Sequence, residues 1–105
     1  MLAFHNDQAI KDKYVYRVLM HQKADQIVKG IYWQRTGRGN EGRGCAVGCT
    51  LHSGNHNTYE TELGIPEVLA HLQDAIFEGL PIERAKEFPL QFLRAIPVGA
   101  DLSGV

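Results

Sequence analysis

The sequence is short of several things, and each shortage closes off a class of protein. There are two cysteines, one tryptophan and four prolines in 105 residues. Two cysteines are too few for a disulfide-stapled secreted scaffold, so they read as reduced thiols or metal ligands. No apolar run approaches the length of a membrane-spanning helix, and the opening MLAFHNDQ lacks the basic and apolar blocks of a signal peptide. The expected address is therefore the cytoplasm, without membrane attachment. An excess of one charge is missing too, since 11 Lys+Arg face 12 Asp+Glu; nucleic-acid-binding domains usually carry a basic surplus. With 44% hydrophobic residues the chain is not a disordered one. It reads as a single domain over residues 1–105.

What is present is unevenly distributed. From Met1 to Thr58 eight Lys/Arg outnumber four Asp/Glu, and from Tyr59 to Val105 eight Asp/Glu outnumber three Lys/Arg. Two readings follow: the halves attract each other, within one chain or across a dimer, or a basic face meets an anionic partner.

Hydrophobic spacing gives the architecture. Asp7 to about Val28 reads as a helix, capped by Asn6 or Asp7 and carrying Ile10, Tyr14, Val18 and His21 on one stripe, with Gly30 as its stop. Eight of the eleven glycines lie between Gly30 and Gly64. There, Ile31-Tyr32-Trp33-Gln34 and the weaker run Cys45 to Leu51 have strand composition, joined by the turn-forming TGRGNEGRG. A second helix is expected from Pro66, with Val68, Leu69, Leu72, Ala75 and Ile76 as its apolar stripe and Gly79 as its cap. Pro81 opens a third, whose apolar positions run Ile82, Ala85, Phe88, Phe92, Leu93 and Ile96. Pro89 should kink or split it. The N-terminal segment around His5 reads as loose, and the tail ADLSGV, which has no period, as loose or docked on a partner. The expected fold is a mainly α, small helical domain of about three to four helices with one short β-hairpin near residues 31–51.

One constellation carries chemistry. Cys45-x3-Cys49-x2-His52-x3-His56 puts two thiols and two imidazoles within twelve residues. These are the ligands that Zn²⁺ takes tetrahedrally, and His21, Glu60 and Glu62 could add to them. The same residues fit a thiolate–imidazolium pair, Cys45 or Cys49 beside His52 or His56, with Glu60 or Glu62 orienting the ring. The plain alternative is two buried cysteines and a polar loop. Gly37-Arg38-Gly39-Asn40-Glu41-Gly42 matches a dinucleotide-binding glycine pattern in form only, because no helix start follows it. Arg35, Arg38 and Arg43, near Tyr32 and Trp33, could still track a phosphate backbone; the alternative is a solvated turn. His71 falls on the polar side of its helix and has no expected role.

The blocks GCAVGCTLH, YETELGIPEVLA, IFEGLP and FLRAIPVGADLS resemble a bacterial family of uncharacterised proteins, over roughly residues 31–103. The resemblance implies no activity and no site residue. Its members continue past the GADLS block, which implies that this chain is a shortened version whose exposed 82–96 helix face favours a dimer. The expected function is that of a small, self-associating interaction or structural protein without catalysis or a resident cofactor. The alternatives are a metal-binding or thiol-dependent enzyme using Cys45, Cys49, His52 and His56, and a nucleic-acid binder through residues 35–43.

Overall fold

A computed structural model describes residues 1–31, 33–35, 42–53 and 55–102. In chain order it has a 3₁₀ turn (Ala3–Asn6), α1 (Gln8–Lys23), β1 (Trp33–Arg35), β2 (Gly42–Gly44), α2 (Ala46–Leu51), α3 (Thr58–Leu63), α4 (Glu67–Gly79), α5 (Ile82–Ala85) and α6 (Phe88–Ala95). The fold is mainly helical with a two-stranded antiparallel hairpin, in register Trp33 to Gly44, Gln34 to Arg43 and Arg35 to Gly42. The helices are shorter and more numerous than the hydrophobic period suggested. No helix among the described residues is long and apolar enough to cross a membrane.

α1 forms where expected. The Asp7 carboxylate accepts from Ala9 N–H at 2.9 Å, and Tyr14, Val18 and His21 are its buried positions. The helix stops at Lys23, short of Val28, because Asp25 adopts φ 56°, a left-handed backbone that ends the helical run. Pro89 splits the last helical stretch as expected, and its missing N–H is harmless in the first turn of α6.

Four expectations are overturned. Cys45 to Leu51 is not a strand. β2 ends at Gly44, and the next residues form α2, which is buried on every side. Six residues cannot hold a helix by themselves. α2 is held from outside: Asp74 of α4 accepts from Val47 N–H at 3.2 Å at its start, and Arg17 of α1 donates to Thr50 O at 3.0 Å at its end.

The second correction concerns α4. Its apolar row Val68, Leu72 and Ile76 faces outward, 55%, 50% and 41% exposed, while Ala70, Gln73, Asp74 and Phe77 are buried. The helix turns its more polar face inward because Tyr59 Oη donates to Gln73 Oε1 at 2.7 Å and His56 Nε2 donates to Asp74 Oδ2 at 2.5 Å. Third, the N-terminus is not loose. Ala3 and Phe4 are fully buried, Ala3 N–H donates to Ala100 O, Gly99 N–H to Ala3 O, and His5 Nε2 reaches Thr61 O. Gly64 closes this seam: at φ 67° a Cβ would come 2.5 Å from Leu2 O. Fourth, most of the 82–96 stripe is covered: Ala85 and Leu93 join the core and Phe88, Phe92 and Ile96 pack against it, while Ile82 stays 45% exposed.

Two lysines of the basic half reach backbone carbonyls of the acidic half. Lys11 donates to Arg94 O and Ile96 O at the end of α6, and Lys29 to Glu78 O and Leu80 O at the end of α4. Cations at helix C-termini are favoured by the backbone dipoles. Lys86 pairs with Asp25 at 2.6 Å, joining the two halves from the other direction.

Candidate functional site

The loop after α2 sends the two histidines of the expected cluster in opposite directions. His52 takes φ 56° and ψ 38°, which ends the helix and turns the chain. One consequence is that positions 45, 49, 52 and 56 never share a stripe. His52 goes to α1, where its Nε2 lies 2.6 Å from His21 Nε2 and its ring stacks on Trp33 at 4.7 Å. His56 goes to α4, onto Asp74. Cys49 donates its thiol to Gly44 O and Gln26 O. Among the described residues no three His, Cys, Asp or Glu side chains are placed to hold one metal ion.

The group that forms instead is built on Asp74. Its Oδ1 accepts the Val47 amide, its Oδ2 accepts the His56 ring, and the Cys45 side chain lies within hydrogen-bond reach of it. A carboxylate oxygen accepts, so the His56 proton facing Asp74 sits on Nε2. His56 and Asp74 are both buried. Beside them opens a cavity of about 440 Å³, lined by Gly30, Ile31, His56, His71, Asp74, Ala75 and Glu78. His71 stacks on His56, ring centres 4.5 Å apart and planes within 3°. Glu78 Oε1 accepts from Gly30 N–H at 3.2 Å, which fixes that carboxylate on the wall.

Both thiols are protonated at neutral pH. Burial pushes Cys45 up to about 12, Asp74 adds to the shift, and the Gly48 and Val47 N–H groups oppose it. Burial likewise pushes Cys49 up to about 12. The phenol of Tyr59, wholly buried beneath the site, is also raised by burial.

The second cluster is His21, His52, Trp33 and Gln26. Gln26 Oε1 lies 2.6 Å from His21 Nδ1, and Trp33 meets the His21 ring edge-on at 5.6 Å. Burial lowers the proton affinity of both rings, with Arg17 adding to it, and takes His52 to about 4. The expected phosphate-tracking set is divided: Arg43 Nε donates to Gln34 Oε1 at 2.7 Å, Arg35 is exposed, and Arg38 lies outside the described residues. The Trp33 ring face is occupied by His52 rather than offered to a base.

Asp74 and His71 are the site residues that sequence reasoning missed. The signal for Asp74 was there: positions 70, 73, 74 and 77 form a helical stripe of their own, and it holds a glutamine and an aspartate beside Phe77. No family model matches the chain, and neither the curated proteins nor the solved structures contain a match to it.

Proposed function

We propose that the chain binds a small molecule in the cavity beside α4 and acts on it by general acid–base chemistry, with His56 as the base. One observation supports this above all: a buried imidazole–carboxylate pair on the wall of a cavity of about 440 Å³. That volume lies in the range of ligand sites, and a few convergent polar groups in a mainly apolar lining are what such sites contain. Asp74 is the positioning residue. It holds the ring on the cavity wall and stabilises the protonated imidazole, the form a general base passes through while it carries the ligand's proton. Cys45, a protonated thiol, serves Asp74 as a donor rather than as a nucleophile. The test is a small-molecule library screened against the chain and against His56→Gln. Compounds that bind the first and lose the second support the reading, and equal binding to both sinks it.

A self-associating interaction module is the second reading, favoured by the outward row Val68, Leu72 and Ile76. The occupant it calls for is α1 of a second copy, whose exposed Tyr16 and Met20 lie among Lys13 and Lys23, opposite in charge to Glu67 and Glu78 of α4. Light scattering at micromolar chain should then give twice the monomer mass, reduced to monomer by Leu72→Glu. A monomeric wild type rules this reading out.

A further inference from the structure

We infer that His21 and His52 form a two-imidazole site for a late first-row divalent ion, Ni²⁺, Cu²⁺ or Zn²⁺, with water in the remaining positions. The two Nε2 atoms face each other across 2.6 Å, on elements 31 residues apart in sequence. Each ring is fixed by something other than its partner. Gln26 Oε1 accepts from His21 Nδ1–H, so His21 presents a lone pair at Nε2. A hydrogen-bond acceptor on the far nitrogen is the usual support of a ligating histidine. His52 is set by its left-handed backbone and by its stack on Trp33.

The geometry needed is a small step from the geometry present. Two nitrogens bound at about 2.0–2.1 Å to a tetrahedral ion stand about 3.3 Å apart, so the rings must part by about 0.7 Å. The proton now held between them moves from His52 Nε2 to Nδ1, leaving both Nε2 lone pairs for the ion. His52 and Trp33 are only half-buried, which gives the ion a way in. Burial and the nearby Arg17 favour the neutral form of both rings, the form that ligates. Arg17 opposes any cation here. An ion that bonds nitrogen strongly overcomes that charge where Mg²⁺ and Ca²⁺ do not, and the order of affinity should follow Zn²⁺ or Ni²⁺ below Cu²⁺.

Trp33 is the only tryptophan, which makes the test direct. Ni²⁺ titrated into the full chain at pH 7.5 should quench its fluorescence and saturate at one ion per chain. Quenching should vanish in His21→Gln and in His52→Asn, the second chosen because Asn tolerates the left-handed backbone. Zn²⁺ followed through the imidazole nitrogen signals of the wild type keeps the inference testable should a variant not fold: His21 and His52 move, His56 and His71 stay. Quenching that survives in either variant, zinc shifts confined to His5, His56 or His71, or no saturation by millimolar ion would overturn it.

Discussion

Replacing Asp74 with alanine is expected to lower the unfolding free energy by about 3 kcal/mol, because several buried donors lose their acceptor at once. Three things fail together. The Val47 amide at the start of α2 loses its acceptor, the buried His56 ring loses its partner, and Cys45 loses the group its thiol faces. Each buried donor left alone costs about 1–3 kcal/mol, although the losses overlap because the wall can relax. For a chain of this size the melting temperature should fall by roughly 15 °C. Asp74→Asn is the informative companion. Its oxygen can still accept from Val47, while its amide cannot accept from His56 Nε2–H, so it should lose less stability and all of the His56 support. A change of under about 0.5 kcal/mol in Asp74→Ala, the range of ordinary surface substitutions, would mean that α2 is not held by α4.

The two thiols are expected to react with a disulfide reagent at least about 10³-fold more slowly in the folded chain than in the unfolded one. The thiolate is the reacting species. Both groups rise from 9.0 to about 12, and each unit is tenfold in thiolate, so the thiolate fraction falls about 10³-fold; the greater nucleophilicity of a more basic thiolate returns part of this. Exposure of 1% for Cys45 and 0% for Cys49 adds a steric barrier, so the residual rate measures local opening. Titration in native buffer against strong denaturant decides it: no thiols reacting promptly in the first, two in the second. One cysteine reacting as fast folded as unfolded would restore the thiol-nucleophile reading and displace His56 as the working group.

How far the sequence could be read depended on the range of the contacts involved. α1 was legible because its cap and its stripe are local. The split of the last helical stretch was legible too, since Pro89 acts on its own backbone. α2 was not, because glycine-flanked GCAVGC has no helical propensity to speak of, and the groups that hold it come from Arg17 and Asp74, 33 and 27 residues away from their partners. α3 was hidden for a similar reason: Tyr59 is a core residue whose hydroxyl donates to Gln73, 14 residues away. The inversion of α4 has the same origin. An apolar stripe predicts burial only while the opposite face has nothing better to bury, and here that face carries the partners of His56 and Tyr59. As for the chemical cluster, the structure does not bring its four residues together. A left-handed His52 sends neighbouring histidines to different sites, and nothing in the spacing of Cys45, Cys49, His52 and His56 encodes that turn.

The most direct measurement is the imidazole nitrogen spectrum of the chain while small molecules are added. A compound that enters the cavity should shift His56 and His71 together, since their rings are stacked on its wall, and leave His21 and His52 in place. The same compound should lose its binding to His56→Gln. Compounds that saturate the protein without moving His56, or a full library that leaves both wall histidines unchanged, would contradict the assignment of this cavity as the working site.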